Sequence, residues 1–404
     1  MDAMLEMSEN DYNKNNHQYM EGVCSRRGKA QDKSGAGSEK GTDKKSLLNY
    51  LIPQTQKKLK VVFLYPREPK TSAWLYSHEL GRMYLDETFS DKLETEYVAG
   101  VDENNVEQVL EDIIKAGADI VFCVGPQMMP NSLKVAVAHP EVYILNCSLN
   151  APHPYIRTYY GRMYEAKFLA GMIAGAVTDN ERVAYIADYP IYGMIANINA
   201  FALGVASVNP RAKVYLAWSK TKDYDRDKFL TENDLHYVSD QDIITPNDAS
   251  RYFGLYKIQG DQTLNLAMPI WNWGVFYEKL LQSVLAGSYK AEGQEQVKAL
   301  NYWWGMSAGV IDLICSKHVP YGVKRLADHL KSDITKGEVV PFFGHIYDQK
   351  GELKNKGEHE MKPSDIMKMD WLVDNVVGSI PPMSEFVDNA KMVVELKGVE
   401  GNKL

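Results

Sequence analysis

The chain has 404 residues, 45% of them apolar and 24% charged, a balance that excludes a mostly disordered, collagen-like or coiled-coil protein. A net charge of −8 argues against a broad nucleic-acid footprint. The cysteines at 24, 123, 147 and 315 include no CxxC pair, which excludes a disulfide scaffold and a structural zinc site.

Residues 1–58 read as a disordered, mildly basic tail with a weak helical patch at 11–21. Its stretch from Arg26 to Lys45 is Gly, Ser, Lys and Asp, too poor in apolar side chains to offset ordering entropy. No basic–apolar–small leader and no lipobox precedes Cys24, and no run of 18 apolar residues occurs. The sequence alone therefore predicts a cytoplasmic protein without a transmembrane segment.

From residue 60 the pattern changes. Short apolar runs at 60–65, 94–99, 118–124 and 142–147 predict buried strands, and helices are predicted at 74–88, 106–116 and 131–138 between them. The rhythm restarts with helices at 164–177, 192–208 and 228–233. The strands of this part are predicted at 183–187, 213–218, 235–239, 252–258 and 264–269. A helix at 274–285 and a strand at 310–314 follow. The chain ends with a helix at 323–331, a hairpin at 342–353 and helices at 364–374 and 384–390. Continuous rather than alternating apolar strands imply parallel sheets covered on both faces. The expected fold class is therefore α/β, with two doubly wound parallel-sheet lobes. The expected division is 59–160 plus 271–300 for lobe 1 and 161–270 for lobe 2. Residues 301–404 are expected as an extension packed on the hinge and both lobes. Ligands of such sheets bind at the carboxyl ends of strands, so the cleft between the lobes is the expected site.

The vocabulary of catalysis is thin. The first turn, Tyr65-Pro-Arg-Glu-Pro-Lys-Thr-Ser-Ala-Trp74, lacks the glycines that a dinucleotide needs. No Walker A, GxSxG or HExxH pattern occurs, and neither a metal site nor a cofactor is expected. Cys123 and Cys147 end apolar strands and read as inert thiols.

Aromatic and polar residues gather instead at predicted strand ends. Trp74, Tyr76 and His78 open the first helix and are expected around the cleft mouth. Gln127 follows the third strand with an amide to offer. Arg162, at a helix start whose dipole disfavours cations, calls for an acidic or ligand partner. Gln241 and Asp242 close a strand as acceptors for a ribose or an amine. Trp271 and Trp273 flank Asn272 where the chain crosses back to the first lobe, which suits a stacking wall for a flat ligand.

These motifs resemble the basic membrane protein family of ABC-transporter substrate-binding proteins, which includes purine nucleoside receptors. The resemblance rests on 72–82, 158–175, 199–210, 271–274, 302–310 and Met369-Asp-Trp371, in the family's order. It implies a type I periplasmic-binding-protein fold with a three-stranded hinge and a purine-type ligand held between aromatic rings. It also implies that Trp74 is the stacking aromatic of the first loop. Tyr256 stands where the family often carries an Asp for ribose hydroxyls, which weighs toward a free base or another flat ligand. The resulting expectation is a solute-binding protein for a nucleobase or nucleoside, serving an ABC permease. The family's own place is the cell surface. The alternatives are a cytoplasmic sensor acting through a regulatory protein and a nucleoside hydrolase using Asp240 and Asp242.

Overall fold

The computed structural model describes residues 58–149, 153–191, 193–242, 250–287 and 301–397, together with 245 and 289. Residues 1–57 of the expected tail, with its helical patch, lie outside the described residues.

The first sheet contains β1 (Leu59–Tyr65), β2 (Leu93–Ala99), β3 (Ile120–Cys123), β4 (Tyr143–Cys147), β5 (Ile156–Gly161) and β11 (Asn301–Trp304). They run parallel in the order β11-β5-β4-β3-β1-β2. Alternate residues of β1 enter different cores. Val61, Phe63 and Tyr65 pack into one cluster, and Val62 and Leu64 into another on the opposite face. A strand covered on both sides has no polar face to show, which is why its sequence is continuously apolar. The covering helices α1 (Ala73–Thr88), α2 (Val106–Lys115) and α3 (Met129–Ala138) alternate with these strands. In α2 the buried residues Val106, Leu110 and Ile113 form the single stripe of an amphipathic helix.

The second half begins with α4 (Tyr164–Val177), β6 (Arg182–Ala187), α5 (Met194–Val208), β7 (Lys213–Trp218), α6 (Arg226–Glu232), β8 (Tyr237–Ser239), β9 (Leu255–Gln259) and β10 (Gln262–Trp271). The chain returns to the first sheet with α7 (Trp273–Leu285) and β11. It then gives β12 (Ile311–Cys315) to the second sheet and α8 (Tyr321–Lys336) to the outside of α4. The tail holds β13 (His345–Tyr347), β14 (Leu353–Lys356), α9 (Pro363–Met367), β15 (Val376–Val377) and α10 (Asp388–Lys397). The second sheet has the order β12-β10-β9-β8-β6-β7-β15. Helices α4 and α5 approach closely because both carry glycine at the contact. A Cβ on Gly171 would lie 2.0 Å from the Phe201 carbonyl, and one on Gly204 would lie 2.0 Å from that of Phe168.

The structure corrects several expectations. The second sheet is mixed, because β9, β10 and β12 pair antiparallel. Gly260 and Asp261 join Gln259 directly to Gln262, with Gly260 at φ +59°. Such a two-residue turn closes a hairpin, whereas a parallel pair needs a long crossover. Strands β5 and β11 are additional to the elements predicted from sequence. The expected 342–353 hairpin pairs His345–Tyr347 with Leu353–Lys356 instead, and the helix expected over 364–374 stops at Met367.

The chain passes between the two sheets three times, after β5, after β10 and after β11. These passages are tied to one another. The Arg162 N–H donates to the Trp304 carbonyl at 2.9 Å, and Asn272 N–H donates to Val310 O at 2.8 Å. The Met306 N–H donates to the buried Glu165 carboxylate at 2.6 Å.

Candidate functional site

The first lobe, with the end of β10 that runs into it, supplies an aromatic layer. Ser72 caps α1, its hydroxyl 3.5 Å from the Leu75 N–H, and so sets Trp74 in the first turn. Strand β10 ends at Trp271 and α7 begins at Trp273. Their indoles stack at 5.3 Å with 10° between planes. Trp74 stands edge-on to both, at 5.0 Å and 5.5 Å. Tyr160, at the end of β5, lies 5.6 Å from both Trp74 and Trp271. Gly161 leaves the space for this: a Cβ there would lie 2.5 Å from Trp271 Cζ3. Trp74, Tyr160 and Trp271 are partly exposed, and Trp273 is buried beneath them.

His78 is not at the cleft mouth. Its ring stacks under Trp273 at 4.2 Å, Nδ1 lies 2.6 Å from the Tyr277 hydroxyl, and Nε2 faces Cys147 Sγ at 3.8 Å. Complete burial pushes its pKa well below the usual histidine range, so the imidazole is neutral and supports the layer from behind. Tyr76 is also buried. Both corrections have one cause: residues 75–79 are all buried, so this turn of α1 is covered on every side, and Trp74 just before it is partly exposed. Burial also pushes the Cys123 thiol up to about 12, in keeping with an inert side chain.

The second lobe supplies charge. Lys167, in the first turn of α4 two residues after Glu165, is 2% exposed and pairs with Asp242, which follows the carboxyl end of β8. Its ammonium lies 3.5 Å from Ser239 Oγ and 5.2 Å from the centre of the Tyr185 ring. Burial penalises this charge, but the Asp242 carboxylate outweighs the penalty and holds the lysine pKa above its usual value. Burial likewise pushes Asp242 up, and Lys167 opposes that shift. The field of Asp242 reaches Tyr160 and adds to the burial that raises the pKa of that phenol. The two walls meet here: a Cβ on Gly193, at the start of α5, would lie 3.3 Å from Leu149 and 3.8 Å from Tyr160.

A second polar group surrounds Tyr256. Its hydroxyl donates to Asp240 at 3.1 Å and accepts from Arg226 at 2.9 Å, and the Arg226 guanidinium lies 3.8 Å from the Tyr252 ring centre. Ser219 donates to Asp188 at the neighbouring strand ends. Tyr256 is fully buried, and its hydroxyl is engaged within the lobe.

The remaining predicted residues lie apart from the aromatic layer. Arg162 sits on the hinge, 3.2 Å from Glu165 and 3.3 Å from Ser307. Gln127 folds over Gly125, and a Cβ on that glycine would lie 2.8 Å from the Gln127 Oε1 atom. Gln241 is exposed and uses its backbone carbonyl to accept from Gly254 at 2.7 Å. Sequence reading named Trp74 at the cleft mouth and Trp271 with Trp273 as a stacking wall, and the structure packs the three indoles against one another; Tyr160, Lys167 and Arg226 were not among the site residues it named. A lysine inside the small-residue run Ala166–Gly175 was the available signal for Lys167, because an unpaired lysine is almost never fully buried.

The family of ABC transporter substrate-binding proteins described as PnrA-like, Bmp, matches residues 58–261. The chain belongs to the Bmp family. It is 28% identical over 342 residues to a purine-binding protein of Brucella abortus, a match covering 81% of this chain and 95% of that one. It is also 28% identical over 271 residues to a putative ABC transporter glucose-binding protein of Haloferax volcanii, covering 64% and 67%. Among solved structures it is similar to a solute-binding protein from Conexibacter woesei at a TM-score of 0.53 and 15% identity, covering 70% of this chain and 98% of that one. A transcriptional activator of the comK gene from Bacillus halodurans matches at a TM-score of 0.54 and 12% identity, over 70% and 99%. Those two likenesses concern the fold alone. As a Bmp-family protein the chain is a solute-binding component of the kind that serves ABC permeases, with the two-lobed periplasmic-binding-protein architecture. Among the described residues no helix is long and apolar enough to cross a membrane.

Proposed function

We propose that the cleft binds a purine-type ligand, a nucleobase or nucleoside, and presents it to an ABC permease outside the membrane. The observation that carries this reading is the partly exposed layer of Trp74, Tyr160 and Trp271, backed by Trp273 and His78. Flat heteroaromatic rings stack on such faces, and each base–aromatic contact contributes about 1–3 kcal/mol. The purine-binding relative from Brucella abortus covers most of the chain and supports the same ligand class. The protein acts by binding and lobe closure, without turnover. Of the two carboxylates that a hydrolase would use, Asp240 is engaged by Tyr256, and Asp242 is paired with Lys167 as a fixed acceptor.

Thermal-shift measurements with adenine, guanine, hypoxanthine, their nucleosides and glucose test the proposal. A bound purine at 100 times its Kd stabilises the protein by about 2.7 kcal/mol and raises Tm. No shift with any purine, or a shift with glucose alone, would sink the assignment.

A further inference from the structure

The ion pair in the second lobe is asymmetric. The side chain of Lys167 is 3% exposed, whereas that of Asp242 is 17% exposed. The ammonium is the sealed end of the pair, and the carboxylate is the more exposed end. Asp242 stands beyond the carboxyl end of β8, where sheets of this kind receive ligands. Gly193, just before α5 of the same lobe, lies near Tyr160 of the aromatic layer: a Cβ there would be 3.8 Å from that ring. The neighbouring carboxylate, Asp240, is committed to the Tyr256 hydroxyl.

From this arrangement we infer that Asp242 is a specificity-determining acceptor for an N–H in the plane of the ligand's ring, with Lys167 as the residue that positions it. The inference rests on the purine reading of the cleft and narrows it. A carboxylate in its ionised form only accepts hydrogen bonds, so it rewards a donor edge and repels an acceptor edge. A free nucleobase carries an imidazole-ring N–H that its nucleoside has replaced by the glycosidic bond. The cleft therefore selects free bases over nucleosides and rejects bases methylated at the engaged nitrogen. Lys167 keeps the acceptor ionised: without the ammonium, burial drives the Asp242 carboxyl toward its protonated form. The other groups facing the pair are Tyr185 on β6, Ser239 on β8, Asp240 beside it and Tyr160 across the cleft.

The test is calorimetric titration of the full chain with adenine, its 7-methyl and 9-methyl derivatives, and adenosine. In the wild type, methylation of the engaged nitrogen weakens binding by about 10- to 100-fold, the size of one charge-assisted hydrogen bond. Asp242→Asn erases that discrimination. Lys167→Met makes affinity fall as pH is lowered toward neutrality, and Lys167→Arg restores a flat profile. The ligand series needs only wild-type protein, so an unstable variant does not rescue the idea. Equal affinity for adenine and for both of its ring-methylated derivatives overturns the inference, and so does tighter binding of adenosine that depends on Asp242. Those results leave the purine reading intact. A wild-type protein that binds none of these compounds overturns the inference, and it overturns the purine reading as well if guanine, hypoxanthine and their nucleosides also fail to bind.

Discussion

The two walls of the cleft are built from opposite materials. The first lobe, with the end of β10 that runs into it, offers rings: Trp74, Tyr160 and Trp271 in front, Trp273 and a neutral His78 behind. The second lobe offers charge: Lys167 with Asp242, and Arg226 with Tyr256 and Asp240. An apolar wall recognises a flat face without regard to its substituents, because every base has a π-face. A polar wall reads an edge, because a misplaced donor or acceptor leaves a buried group unpaired. A cleft with one wall of each kind suits a ligand with a broad face and a hydrogen-bonding rim. Under the proposed function, such a cleft draws affinity from the ring wall and specificity from the charged wall.

This division can be broken from either side. The largest expected effect is on stability and belongs to the charged wall. Asp242→Asn leaves the Lys167 ammonium buried without its partner and costs about 3 kcal/mol in denaturant unfolding, the low end for a buried pair because the carboxylate is partly exposed. The double variant Lys167→Met, Asp242→Leu recovers most of that loss. A single variant as stable as the wild type would show that the pair is not desolvated as described. Next is the aromatic wall: Trp74→Ala lowers affinity for every bound purine by a similar factor, about 10- to 100-fold, and leaves the ranking of ligands unchanged. A change in ranking would move specificity to the first lobe.

Smaller again is a pH effect. Burial lowers the folded-state pKa of His78 below its unfolded value of about 6.5, so the unfolded chain binds a proton that the folded chain refuses. Its contribution is whole above about pH 6.5 and is lost as pH falls from there toward the folded-state pKa, at up to about 1.4 kcal/mol per pH unit. His78→Gln flattens this acid limb, and an unchanged limb would place the titration elsewhere. The smallest effect is Tyr256→Phe, which removes hydrogen bonds to Asp240 and from Arg226 and costs about 1 kcal/mol in chemical denaturation. Its ligand affinities stay at wild-type values, and a large loss would bring Tyr256 into the binding site.

The aromatic wall was largely legible in the sequence and the charged wall was not, for a physical reason. Trp74, Trp271 and Trp273 mark themselves because each lies on a strand-to-helix connection, Trp271 at the end of β10 and Trp74 and Trp273 in the first turn of a helix, a local pattern. Tyr160 did not, although it adjoins Tyr159. The alternation of β5 sends Tyr159 into the core and Tyr160 toward the cleft, and a six-residue strand beside a helix start shows no clear period. Lys167 and Asp242 are farther beyond local reading. Their burial is tolerable only together, and they meet because the Lys167 side chain reaches from α4 to β6 and β8, beside Tyr185 and Ser239, rather than by any spacing along the chain. The same limit explains the mixed second sheet. Its two-residue connection at Gly260 and Asp261 was within reach of sequence reading as a hairpin, but the rhythm of strands and helices before it argued for another parallel strand.

The central claim, a purine ring stacked on the aromatic wall, is tested most directly by intrinsic tryptophan fluorescence during titration with adenine. The account expects a saturable change in the wild type that is strongly reduced in Trp74→Ala and in Trp271→Ala. A wild-type signal that does not change with adenine, or a change that survives both substitutions at full size, would contradict it.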